Sequence, residues 1–235
     1  TAARLDLTSA TSVEVMADTS RGTSTVSGYC GESSGGSAGE AWFQVSWPSN
    51  RDLVLDAQGA SNAIDPMLFV GMTCGQAPIV CNDDITAQSR SARVILRGDG
   101  VVGLGTSTVF VAVDGFSAAT AGQVRLRART QPTTGSDCAS ALVIEGGGAV
   151  RSSAPLASTR PNACGSVGPV EHYRFRGSSG TVSARTTSGS LALRRDCMTM
   201  MAACPGTNAS LSSSGDSILA VERPMGPYVL TVRGP

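Results

Sequence analysis

Three observations predict an all-β fold of two tandem antiparallel β-sandwiches stapled by disulfides. Cys74 and Cys81 enclose six residues, and Cys197 and Cys204 enclose six more. Similar strand-like sequence flanks both pairs at fixed offsets, which is the mark of a duplicated module. No stretch carries apolar residues at helical spacing for more than about two turns, whereas several alternate strictly between apolar and polar.

The elements follow in order. In the first unit the strand candidates are residues 42–47, 53–57, 67–72, 93–96, 109–113 and 123–128. Their counterparts are 172–176, 182–186, 191–194, 218–221 and 228–232. Leu68 and Leu191 each stand six residues before the first cysteine of their pair. Val111 to Asp114 matches Leu219 to Glu222, and Phe43 and Val45 after Cys30 match Tyr173 and Phe175 after Cys164. The closing runs Gly122, Val124, Leu126, Ala128 and Gly226, Tyr228, Leu230, Val232 also correspond. Short strands separated by Gly and Ser turns belong to a sandwich. These offsets divide the chain into a module over 1–129, a linker over 130–136 and a second module over 137–235, each long enough to bury its own core.

Lys+Arg and Asp+Glu both number 18, so no broad field draws nucleic acid or an anionic membrane. Every basic residue is arginine, which removes Schiff-base chemistry on a lysine. No apolar run is long enough to span a bilayer. Seven cysteines in a Gly-rich chain point to an oxidising compartment, and a leader removed ahead of Thr1 is expected.

The expected bridges are Cys74 with Cys81, Cys197 with Cys204, and Cys138 with Cys164. By chain entropy the short loops contribute about 2.5 kcal/mol and the longer one about 3.5 kcal/mol. A four-cysteine zinc site is disfavoured because Cys138 and Cys164 are far apart in sequence. Cys30 is left over. If it matches Cys164, its partner belongs near Arg4, where there is no cysteine. Cys30 is then a buried free thiol, bonds another molecule, or pairs with a cysteine upstream of Thr1.

Asp137-Cys138, Cys-Gly before an aromatic strand (Cys30-Gly31, Cys164-Gly165), Asp65-Pro66-Met67-Leu68 running into Cys-x6-Cys, and the closing Gly-x-Tyr/Val-x-Leu strand together carry a resemblance. Each unit resembles the bacterial pre-peptidase C-terminal domain and its cysteine-bearing relatives in secreted myxobacterial-type proteins. The second unit lacks the Asp-Pro and the first lacks the opening cysteine. The resemblance implies a jelly-roll-like sandwich, secretion, and a non-catalytic accessory or adhesive role, with no catalytic residue.

The residues themselves agree with that last implication. Gly31-Glu32-Ser33-Ser34-Gly35 and Gly35-Gly36-Ser37-Ala38-Gly39 fit the nucleophile-elbow pattern but lack the following helix and a nearby histidine. His172 is the single histidine and lies in a strand of the other unit. Arg97-Gly98-Asp99 reads as a turn rather than an adhesion tripeptide. Asn208-Ala209-Ser210 matters as a glycosylation site only in a cell that performs that reaction. Met198, Met200 and Met201 form either a contact surface or part of a core. Calcium is the one cofactor with a physical case: Asp65, Asn82, Asp83 and Asp84 offer hard oxygens at one end of the first unit, while the second has Pro205-Gly206-Thr207.

The functional expectation is a secreted, non-enzymatic structural or interaction protein at the cell surface or outside the cell. Its partner is protein: further copies of itself in a homo-oligomer or filament, or a cell-surface component. The alternative is an accessory carbohydrate- or protein-binding module of a secreted hydrolase. Aromatic content of 4% and only two tryptophans, Trp42 and Trp47, weigh against glycan platforms.

Overall fold

The computed structural model describes residues 2–26, 28–30, 33–35, 38–98, 108–135, 137–152, 170–177, 179–194, 197, 203–213, 216–222 and 226–235. Cys164, Asp99, Met198, Met200, Met201, part of each nucleophile-elbow match and the side chain of Cys204 lie outside them.

The first module contains β1 (Ala3–Asp6), β2 (Ser12–Asp18), a small hairpin of β3 (Gly28–Cys30) and β4 (Ser33–Gly35), β5 (Ala41–Ser46), β6 (Arg51–Gly59), β7 (Pro66–Gly71), β8 (Val80–Asn82), β9 (Ala92–Leu96), β10 (Thr108–Gly115) and β11 (Gln123–Pro132). The second contains β12 (Leu142–Glu145), β13 (Gly147–Ser152), β14 (Val170–Arg176), β15 (Gly180–Thr186), β16 (Ser190–Arg194), β17 (Ala203–Gly206), β18 (Asn208–Ser213), β19 (Ser217–Glu222) and β20 (Tyr228–Arg233). One 3-10 turn, Ala118–Thr120, is the only helical element among the described residues. The all-β class is as expected, and every strand candidate falls within or across a strand. β11 continues through Pro132, three residues into the segment read as a linker.

Both modules have the same topology. The first five-stranded sheet runs β1-β5-β10-β7-β8 and the second runs β12-β14-β19-β16-β17. Each packs on a four-stranded sheet, β9-β6-β11-β2 or β18-β15-β20-β13, and the two four-stranded sheets join into one of eight strands. The expected all-antiparallel pairing needs correction at three places: β1 with β5, β12 with β14, and β13 with β9 are parallel. The last of these is the joint between modules.

Strand direction at the joint fixes how the modules sit. Because β13 is the counterpart of β2 yet runs parallel to β9, the second module is turned over about an axis crossing the strands. Period-two alternation then puts the two five-stranded sheets on opposite faces of the long sheet. The cores agree. Leu53, Leu55, Val94 and Leu96 pack with Phe43, Val45, Leu68 and Val111, whereas Val54 and Ile95 on the opposite face pack with Val150, Tyr173, Phe175 and Leu230. Ala149 returns the exchange by joining the first core. Close approach requires glycine here: a Cβ on Gly147 (φ 151°) would run into the Ile85 carbonyl.

The bridges differ from those expected. Among the described cysteines, Cys30 bonds Cys81, Cys138 bonds Cys197, and Cys74 is free and exposed. Cys30 is therefore neither free nor the leftover residue. It is buried on the outer face of the first five-stranded sheet with Val26, Met67, Phe69 and Ala112, and Cys81 in β8 reaches that face while Cys74 lies in the loop beyond. The closed loops span separations of 51 and 59 residues, for which chain entropy gives about 4 kcal/mol each.

Candidate functional site

Two polar assemblies lie at or beside the joint. The first is fully buried. Arg97, just past β9, stands 3.6 Å from Asp52 of β6 and 3.8 Å from Glu171 of β14, all three with no exposed side chain. Its guanidinium also donates to the Thr134 carbonyl. Asp52 accepts from the Gly98 N–H and the Thr133 hydroxyl, each at 2.9 Å. Glu171 accepts from Tyr173 at 2.9 Å, from Ser152 at 3.3 Å and from Tyr228. Burial raises Asp52 above the usual carboxylate range, with Arg97 opposing the shift, and burial drives both tyrosines well above theirs. A charge withdrawn from water is tolerated only when paired and hydrogen-bonded. Arg97 is thus a structural cation linking both modules, and Arg97-Gly98-Asp99 does not present an exposed arginine.

The second assembly is acidic. Asp65 precedes β7, and Asp83 and Asp84 follow β8, so hairpin pairing brings their carboxylates within 4.8 Å of one another. Backbone bonds hold Asp65 in place: its N–H donates to Thr120 at 3.0 Å and its carbonyl accepts from Phe116 at 2.8 Å. Asp65 Oδ1 and Asp84 Oδ1 are buried and meet no hydrogen-bond donor among the described residues. Burial raises Asp84 to about 6, and the neighbouring Asp83 and Asp65 add repulsion. Asp65 rises through burial and through its neighbour Asp83. Arg233 of β20 relieves part of the repulsion at Asp84, 3.1 Å away. Of the four expected ligands, Asn82 is engaged elsewhere. Its Oδ1 accepts the Arg93 N–H at 2.8 Å and ties β8 to β9. The three aspartates could hold a hard divalent cation, whose charge would cancel their mutual repulsion.

A groove of about 350 Å³ runs beside this cluster, where the first five-stranded sheet ends and the opposite half of the long sheet stands bare. Asp83, Asp84 and the Cys30–Cys81 bridge wall it, and Ser183, Arg185 and Arg233 help floor it. It exists because the second module is turned over, so sequence reading module by module could not show it.

The remaining candidates are dispersed. His172 is partly buried, and its backbone N–H donates to Gly135 at 2.9 Å. Hydrogen bonds from Ser140, chiefly its N–H at 2.8 Å, hold the Asp137 carboxyl below the usual range with His172 the smallest contributor, and the Ser140 hydroxyl donates to the Asp137 carbonyl at 3.4 Å. That arrangement is a turn rather than a nucleophile with its base. Trp47 is fully buried and donates to the Arg51 carbonyl at 2.9 Å. Trp42 packs partly on the outer apolar cluster and donates to Glu40 at 2.8 Å.

No family model matches the chain, and no curated protein matches it. Among solved structures it aligns with the CUB1-EGF-CUB2 domains of rat MASP-1, at 10% identity over 100% of both chains with a TM-score of 0.28. It also aligns with the CUB1-EGF-CUB2 domain of human MASP-1/3, at 8% identity over 94% of this chain and 99% of that one, with a TM-score of 0.25. Likeness of that order carries no argument, and the architecture rests on the strand pairings themselves.

Proposed function

We propose that this chain is a secreted, non-catalytic structural or interaction protein that associates with further copies of itself or binds a cell-surface partner. The parallel joint between β9 and β13 carries the reading. It joins one kind of module edge to the other kind, and the long sheet still ends in one free edge of each kind, β2 and β18, among the described residues. A heterologous contact of that sort can repeat without closing, and edge strands accept added strands. Two described disulfides favour an oxidising compartment. The resemblance to pre-peptidase C-terminal domains supports the same role.

The free edges are softer than the joint. By register, Ser183 and Ser210 replace Val54 and Ile95, Ser212 replaces Arg97, and Thr181 replaces Asp52. Added strands would gain hydrogen bonds without the apolar and ionic lock, so association is weak and concentration-dependent. Met16, 55% exposed on β2, is the one large apolar side chain left open among the described residues. Sedimentation velocity over a wide concentration range tests self-association. Reversible growth supports it, and monomer throughout leaves only the cell-surface partner. With Trp47 buried and Trp42 partly covered, glycan stacking by an accessory module has little support.

The acidic cluster favours a second, compatible reading, in which Asp65, Asp83 and Asp84 bind calcium and stiffen the wall of the groove. Equal melting temperatures in calcium and in chelator would remove it.

A further inference from the structure

The parallel joint is a template for contacts between copies. In it Ala149 lies opposite Val94 and Val150 opposite Ile95. Each free edge is the counterpart of one side of that joint. Val13, Val15 and Ala17 of β2 pair with Ala128, Leu126 and Val124, as Gly148, Val150 and Ser152 of β13 pair with Val232, Leu230 and Tyr228. Glu14 therefore holds the place of Ala149, and Met16 that of Arg151. Likewise Ala209 and Ser210 of β18, opposite Ala184 and Ser183, hold the places of Val94 and Ile95, opposite Leu55 and Val54.

Building on the self-association proposed above, we infer that β2 pairs with β18 of a second copy in the register of the internal joint, and that the Glu14–Arg125 ion pair keeps this contact weak. Glu14 then falls opposite Ala209, and Val15 opposite Ser210. The loop that crowds the internal joint is missing from the free edge. Gly147 must be glycine because of the Ile85 carbonyl, and Ile85 belongs to the segment 83–91 between β8 and β9. In the second module Thr207 alone separates β17 from β18, so Ser12, in the place of Gly147, meets no such loop. That loop also clamps the internal joint, since Gly234 donates to the Ile85 carbonyl at 3.1 Å. A copy added at β18 lacks this clamp.

The ion pair weakens the contact further. In the internal joint Ala149 and Val229 pack against the first core, and Ala149 is fully buried. Arg125 holds the place of Val229, because it pairs with Met16 as Val229 pairs with Arg151. At the free edge the apolar pair is thus replaced by Glu14 and Arg125, 3.7 Å apart and half exposed. Seating β2 on β18 draws both charges out of water, and their attraction repays only part of that loss. Charges that point inward at a sheet edge limit strand addition in this way.

The test installs the residues of the internal joint, Glu14→Ala with Arg125→Val, in the full chain. Sedimentation velocity and amide hydrogen exchange are then followed over a range of concentrations. The dissociation constant for self-association should fall about tenfold or more, with new protection at β2 and β18. Adding Ser210→Arg puts a charge where Ile95 is buried in the internal joint, and should return the double variant to monomer. Ser210→Arg alone should abolish the association of the parent, which keeps the test open should the double variant misfold. Unchanged affinity in the double variant, protection that spares β2 or β18, or association that survives Ser210→Arg overturns the inference and leaves self-association to another surface. Monomer at every concentration, in parent and double variant alike, removes self-association itself and the inference with it.

Discussion

The two modules share the same strand order, yet they carry charge in different places. The first brings its charges to the surface it shares with the second: Arg97 and Asp52 at the joint, and Asp65, Asp83 and Asp84 beside the groove. The corresponding positions of the second are Ser212 and Thr181 at its outer edge and Pro205, Gly206 and Thr207 after Cys204. Identical topology therefore supports two kinds of edge, one ionic and buried by its neighbour, the other small, polar and left to water. Terminal units of repeat proteins follow the same logic, because an edge without a neighbour must be soluble.

The sharpest way to break that comparison is at Arg97. Arg97→Ala leaves Asp52 and Glu171 buried without their cation, and the expected loss is about 3–5 kcal/mol in urea unfolding. Arg125→Ala removes an exposed pair with Glu14 at 3.7 Å, and is expected to cost less than about 1 kcal/mol. Similar losses from the two substitutions would mean that the buried network does not hold the joint.

Next in size are the bridges. Cys30→Ser is expected to cost about 2–4 kcal/mol, because it frees a loop of 51 residues. Cys74→Ser should be within about 0.5 kcal/mol of the parent, since an exposed free thiol constrains nothing. Reversed effects would restore the Cys74–Cys81 pairing that spacing alone suggests. Spacing misleads here for a physical reason. Six intervening residues allow a short bridge, but β8 carries Cys81 toward the outer face, against Cys30 and Phe69.

Alternation makes the central strands legible in the sequence, since each buries one face against the opposing sheet. Nine strands escape that reading, among them β2, although Val13, Val15 and Ala17 alternate with polar residues, and β13, which opens Gly-Gly-Ala. An edge strand in one case and a glycine-bearing joint strand in the other carry weaker signals. The candidate site is legible where it depends on local sequence: Asp65 before β7 and Asp83-Asp84 after β8 converge because a hairpin joins them. The joint is not. Arg97 reads as part of a turn until β14 supplies Glu171, and nothing near Arg97 in sequence announces a contact across modules.

Asp114 sharpens the comparison through pH. It lies fully buried at the end of β10, and burial, aided by Glu40, raises its carboxyl to about 7. The folded state therefore holds a proton that the unfolded chain, with a pKa near 3.8, has released. Stability must fall as pH rises from about 4 to about 7, by up to about 4 kcal/mol. Asp114→Asn should flatten that slope and be the more stable protein at pH 8. Parallel pH profiles for the two proteins would show that Asp114 is ionised in the folded state without penalty.

The smallest expected effect distinguishes the modules by metal. At ten times its dissociation constant, calcium would stabilise the chain by about 1.4 kcal/mol, a rise of about 4 °C in melting temperature for a chain of this size. The gain belongs to pH 7.5 and should shrink below pH 6, where Asp84 takes up a proton. Asp84→Asn should lose most of the gain, whereas substitution of Thr207 in the second module should leave it intact. Asp84 also holds Arg233 across the joint, so its substitution changes two things at once. Arg233→Gln separates them: with the cation's rival removed, calcium should stabilise more, not less. A smaller calcium gain in Arg233→Gln would instead assign Asp84 to the joint alone, making the acidic cluster part of the contact between modules rather than a metal site.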